Sequence, residues 1–333
     1  MPPDIRLAEA GWFFEAGIGE DRAIRVEAGE IVEAAIELPG QVRLGRVVEA
    51  RLAKVVVPGR RGIVRTDAGE MWLEPLPAGV TEGQTLRVEI VREGLPERGR
   101  PKPPRCRATD APPGEGPTLA ERIGTHSQLA PAGTDSFEEA GWSELLEQAA
   151  SGEIAFPGGA LRMDLTAAMT LFDVDGVLPP AELAVAGAAA AARAIRRFGI
   201  GGSIGIDLPT LGSKAERQAA AEAVDAILPQ PFERTAVNGF GFLQIVRRRD
   251  RASLPELLNA DLVGAAARAL LRLAERTAGA GERSLKAAPA VIARIEANRD
   301  WIEALERRIG APLSLQADAS LAISAGHVHA RFA

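Results

Sequence analysis

Between residues 170 and 207 the chain reads as a strand, a helix and a strand. In TLFDVDGVL (170–178) an apolar strand runs into two aspartates separated by one residue and then a glycine. An alanine-rich helix is predicted over about 181–198, and GGSIGID (201–207) returns to strand character. A second helix over 213–228, with Ser213 as N-cap, and strands within 232–249 extend the pattern. Strands joined by helical crossovers form a βαβ-type sheet, which commits this part of the chain to α/β architecture. Ligands in such sheets gather at the carboxyl ends of the strands, where Asp173, Asp175 and Asp207 are expected.

The remainder has a different rhythm. Residues 10–38 read as short strands with EAGE as a hairpin turn, and 42–93 as more strands separated by Gly, Pro and Asp turns. That spacing predicts a small β-barrel, for which the OB type is the natural size. Proline and glycine dominate 95–135, predicting a linker or extended arm with at most a turn of helix at LAERI. Residues 136–152 read as one helix. EIAF, the turn PGG and ALRMDLTAAMTLFDVD then form a β-hairpin leading into the aspartates. Residues 254–333 read as a separate small α/β unit with helices over about 260–277, 289–297 and 299–309. A length of 333 residues accommodates two or three such packed units.

Charge bears on partners. A net charge of -6 argues weakly against bulk nucleic-acid binding, but its distribution is uneven, with arginines and lysines concentrated in 43–65 and 92–107. The single Cys106 excludes an internal disulfide framework and a cysteine-based zinc site, and fits a reducing cytoplasm. The start does not resemble a signal peptide. The most apolar run, 183–195, is too short to span a bilayer and is interrupted by Arg193. A cytoplasmic protein without membrane attachment is the expectation.

In an extended strand, residues i and i+2 face the same way roughly 6–7 Å apart, so Asp173 and Asp175 share one side. Asp207, ending the next strand, is expected beside Asp173. Carboxylates this close repel unless a cation lies between them. Mg²⁺ suits such a site, because it takes oxygen ligands and is often held by one or two carboxylates plus substrate phosphate. The plain alternative for each aspartate is a turn former or helix cap. Lys214 and Arg217 stand one turn apart on the helix after Asp207, and Arg234 on the following strand, as candidate phosphate contacts.

FDVDGVL also resembles the first motif of the haloacid dehalogenase phosphatases, with Asp173 as nucleophile. However, about 170 residues precede it, and no late acidic pair follows 207. The longer span resembles the ribonuclease E/G family more closely. The resemblance is carried by PGGALRMDLTAAMTLFDVDG (157–176), AAAAARAIRRFGIGGSIGIDL (188–208), SKAERQAAAEAVDAIL (213–228) and RTAVNGF (234–240). It is looser over 10–110 and 255–333.

The resemblance implies an S1/OB-type barrel (41–110) inserted in an RNase H-like subdomain split between 10–40 and 136–168. A Pro/Gly-rich linker (111–135), a DNase I-like catalytic sheet (169–252) and a small α/β domain (255–333) complete the expected architecture. It implies a Mg²⁺-dependent endoribonuclease cutting single-stranded RNA. Asp173 and Asp207 would be the metal ligands, Asp175 would stand where the family has an orienting asparagine, and Arg234 would match an active-site arginine. RNA contacts are expected at Arg46, Lys54, Arg60, Arg61, Arg98, Arg100 and Lys102 of the barrel and at Lys214 and Arg217. Trp72 is the only aromatic residue between 15 and 136, so weak, salt-sensitive binding by the barrel is expected. Ala167 and Phe242 stand where the family has glutamate and arginine, and the zinc-linking cysteines are missing, so no zinc-linked dimer is expected. Residues 111–135 are too few for the family's 5′-end sensor. These departures leave open a relative that binds RNA without cutting it.

Overall fold

The computed structural model describes residues 10–97, 99, 101–130 and 133–332. The chain is mixed α/β. It opens with β1 (Gly11–Ala16), β2 (Asp21–Glu27) and β3 (Glu30–Glu37), an antiparallel meander. Five further strands follow: β4 (Val47–Val57), β5 (Arg61–Thr66), β6 (Gly69–Leu73), β7 (Thr85–Arg92) and β8 (Arg105–Ala108). Next come α1 (Leu119–Ile123), β9 (His126–Gln128), α2 (Ser136–Glu139) and α3 (Trp142–Ser151). The central run is β10 (Glu153–Phe156), β11 (Gly159–Leu165), β12 (Thr170–Gly176), α4 (Pro180–Arg197), β13 (Gly202–Asp207), α5 (Lys214–Asp225), β14 (Glu233–Arg234) and β15 (Phe242–Arg247). The last part holds α6 (Leu254–Ala260), α7 (Leu262–Arg276), β16 (Ala280–Ala287), α8 (Pro289–Glu296), α9 (Arg299–Ile309), β17 (Leu313–Ala317) and β18 (His327–Phe332).

Strands β4 to β8 close into a barrel in the order β4-β5-β6-β8-β7. It is compatible with an OB-like barrel, and its core contains Leu52, Val64, Met71, Leu73, Val88, Ile90 and Cys106. The second sheet runs β10-β11-β12-β13-β15-β14. Only β12 and β13 pair in parallel, as the α4 crossover requires. One face of this sheet is apolar and buried: Leu161, Met163, Phe172, Val174, Ile204, Ile206, Leu243 and Ile245. α4 packs against it, and a Cβ on Gly187 would stand 2.3 Å from Val174 Cγ1. The alternate residues Arg162, Asp164, Asp173, Asp175 and Asp207 face outward and are exposed. Period-2 alternation therefore separates a helix-covered back from an open front.

The chain divides into two compact units. The first comprises residues 1–39, 123–143 and 258–333, and the second 40–122 and 144–257. This differs from the expected subdomains. Strands 153–165, which the resemblance groups with residues 10–40, pair with β12, continuing the expected hairpin that leads into the aspartates. The segment read as a linker supplies β9, which pairs in parallel with β1. The helix read over 136–152 is two helices, broken where Gly141 takes φ 93°, a left-handed conformation that favours glycine. Among the described residues no helix is long and apolar enough to cross a membrane.

Candidate active site

The front of the six-stranded sheet collects the acidic residues by register. Asp173 and Asp207 are direct partners across the parallel β12–β13 pair, so their side chains leave the same face about one strand spacing, 4.8 Å, apart at the backbone. Asp173 lies in mid-strand rather than at a strand end. Asp175, two residues on, shares the face at a position opposite Ala160. Asp173, Asp175 and Asp207 are exposed, and none takes part in an ion pair among the described residues.

Two oxygen donors side by side on an open face fit a hard divalent cation that retains much of its water shell. Among the described residues no group of three or more His, Cys, Asp or Glu side chains could hold a metal ion, so these two carboxylates do not form a closed cage.

Register also brings residues that the motifs did not mark. Arg162 opposes Asp173 from β11, Glu153 opposes Arg162 from β10, and Phe242 opposes Asp207 from β15. Arg162 was readable in principle, since counting three residues outward from Leu165 and Thr170, either side of the tight turn, pairs it with Asp173. Its Nε donates to Glu153 Oε1 at 3.2 Å. The Phe242 ring lies over Gly205, where an added Cβ would stand 2.5 Å from it. Beside it the turn before β15 exposes Phe240 to 85 %. Asn238 Oδ1 fixes this turn by accepting the backbone N–H groups of Phe240 (2.9 Å) and Phe242 (3.0 Å).

The expected basic residues divide. Arg234 is not brought to this face. It opposes Ile245, a back-face residue, and its guanidinium donates to Asp225 at the end of α5 at 2.7 Å. Hydrogen bonds with Asp225 hold that guanidinium above the ordinary arginine range. A strand as short as β14 takes its facing from the register with its neighbour, which motif order does not reveal. Lys214, at the first turn of α5 and seven positions after Asp207, is exposed with no ion pair among the described residues. Arg217 is half-buried and donates to the Leu211 carbonyl at 3.1 Å.

On the barrel, Arg46 is held by Asp67 (2.7 Å) and Glu115 (3.2 Å), and Lys102 by Glu97 (2.6 Å). Arg61 pairs with Glu74 at 3.1 Å and lies 5.3 Å from the centre of the Trp72 ring. Lys54 and Arg60 are exposed without an ion pair among the described residues, while Arg98 and Arg100 lie outside those residues. The barrel is tied to the sheet at the end away from Asp207. Arg249 donates to Glu97 (2.9 Å), Arg251 to Glu93 (3.0 Å), and Glu93 N–H to the Asp250 carbonyl (2.8 Å). β15 ends at Arg247, opposite Gly202, so the length of β13, roughly 17 Å, separates this junction from Asp207.

No family model matches the chain, and no curated protein does.

Proposed function

We propose that the open front of the sheet is the active site of a Mg²⁺-dependent endoribonuclease of the ribonuclease E/G type, acting on single-stranded RNA. The observation that carries the reading is the register pairing of Asp173 with Asp207 on an exposed face. Two neighbouring carboxylates that form no ion pair among the described residues concentrate negative potential, with Arg162 one strand away as the nearest base, and a divalent cation relieves it. Mg²⁺, when bound there, would lower the pKa of a coordinated water and offset charge on the phosphate. Asp173 and Asp207 hold it, and Asp175 adds a third carboxylate two residues away that can accept a hydrogen bond from water. Hydrolysis joins the oxygen of water to phosphorus and breaks one bridging P–O bond, the departing oxygen taking up a proton. Lys214 draws the phosphate backbone toward the end of β13, and the α5 N-terminus adds its partial positive charge.

The shape of the face favours a polymer. An open sheet front admits a strand running past it, whereas a small phosphomonoester is usually enclosed in a concave pocket. Lys54 and Arg60 in the same compact unit supply further phosphate contacts.

A second reading, an RNA-binding relative that does not cut, rests on the departures from the family pattern: Ala167 and Phe242 stand where the family has glutamate and arginine, and Asp175 where it has asparagine. Incubation of the full chain with an AU-rich single-stranded oligonucleotide separates the two. Mg²⁺-dependent cleavage, lost in Asp173→Asn, is the expected result. Binding without cleavage supports the second reading. Release of phosphate from a small phosphomonoester, with a phosphoaspartate at position 173, points instead to a phosphatase.

A further inference from the structure

Arg162 occupies a place that no motif marks. Register puts Glu153 on one side of it and Asp173 on the other, with Asp207 beyond. Four exposed side chains thus form a row across four strands, in the order acid, base, acid, acid at roughly 4.8 Å steps. Arg162 has acidic neighbours on both sides and pairs with the outer one. Its Nε donates to Glu153, and among the described residues its two terminal amino groups have no partner. The Glu153 hydrogen bond is the main reason that the guanidinium is held above the ordinary arginine range, with Asp173 and Asp175 adding to it.

This arrangement has two consequences. Asp173 keeps its oxygens for a cation, because the nearest base is engaged elsewhere. Two coplanar donors, at the same time, stand one strand away from the place where that cation would sit. Coplanar N–H pairs suit the non-bridging oxygens of a phosphate, which accept both in a charge-assisted fork.

We infer that Arg162 is a catalytic residue of this face, gripping the non-bridging oxygens of the phosphate that lies across Asp173 and Asp207. The inference rests on the nuclease reading above. Negative charge grows on those oxygens as water attacks phosphorus, so a guanidinium fixed beforehand binds the transition state more strongly than the ground state. Glu153 fixes it.

The test compares the full-length wild type, Arg162→Ala, Arg162→Lys and Asp173→Asn on one single-stranded RNA, by cleavage in Mg²⁺ and by equilibrium binding in EDTA. Arg162→Ala is expected to lower kcat/KM about 100-fold, with the Mg²⁺ concentration for half-maximal rate unchanged. Arg162→Lys recovers part of the loss, since an ammonium supplies the charge but not the fork. In EDTA, Arg162→Ala weakens RNA binding at least threefold and reduces the slope of log K against log salt by about 0.7. Cleavage by Arg162→Ala within threefold of wild type overturns the inference and leaves the nuclease reading standing. A loss that excess Mg²⁺ restores also overturns it, because Arg162 would then act on the metal site. If the wild type does not cleave, the nuclease reading and the catalytic role of Arg162 fall together, and the binding measurements decide only whether Arg162 contacts phosphate. The weakened, flatter salt dependence then supports the phosphate contact, and unchanged binding removes it.

Discussion

Glu20 lies between two arginines of α7, 3 % exposed, and accepts hydrogen bonds from Arg268 (2.7 Å) and from Arg272. Next to it, Arg22 is fully buried between Glu15 (3.1 Å) and Asp135 (2.8 Å), while Arg276 reaches both acids. Removing one member leaves buried charges without their partner, so Glu20→Gln is expected to cost about 3–5 kcal/mol of stability, read from urea unfolding. A loss below about 1 kcal/mol would show that the two guanidiniums find other acceptors. Asp135 adds a pH dependence. Burial pushes its carboxyl up, but the charges and hydrogen bonds of Arg22, then Arg276, outweigh this and hold it below the usual aspartate range. A depressed carboxylate stabilises the fold above its unfolded value, near 4, and that stabilisation is lost as pH falls through the lower folded value. None of this was legible in the sequence, because residues 15–22, 135 and 268–276 are far apart in the chain and read as ordinary surface charges. The three aspartates were legible, since i and i+2 parity and one helical crossover suffice to place Asp173, Asp175 and Asp207 on one side. Arg234 was misplaced for want of a register.

Helix α4 and strand β12 show how closely the elements that support the site are fitted. Gly187 lets the helix approach Val174, whose neighbours in sequence are Asp173 and Asp175. Alanine at this position gains about 1 kcal/mol in helix propensity but drives a Cβ into a stiff β-branched side chain, an overpacking that costs about 1–3 kcal/mol. Gly187→Ala is therefore expected to be net destabilising, by up to about 2 kcal/mol. An unchanged or raised urea midpoint would mean that α4 rides further from the sheet. The apolar pattern announced the helices and strands well, with α4, α8 and α9 close to their expected limits. It also announced the barrel, whose short strands and turns are local signals. It did not announce the break at Gly141, where one left-handed residue separates two helices, or the strand at 126–128, which forms by pairing with the distant β1.

At the scale of the molecule, the acidic face, its flanking arginine and the barrel all belong to the unit formed by 40–122 and 144–257. The other unit is assembled from three stretches, with a core that includes Leu270, Leu271, Leu285, Ile292 and Leu305. Hydrophobic periodicity tells which face of an element is buried but not which element buries it: residues 10–39 share a unit with 123–143 and 258–333, whereas the resemblance groups them with 136–168. What the function depends on is narrower, namely that Asp173 and Asp207 act as one ligand pair. Titration of Mn²⁺, as a paramagnetic substitute for Mg²⁺, into the wild type, Asp173→Asn and Asp207→Asn tests this most directly. One bound ion in the wild type, with affinity reduced at least about tenfold in each variant, is the predicted result. Equal Mn²⁺ affinity in all three proteins would contradict it.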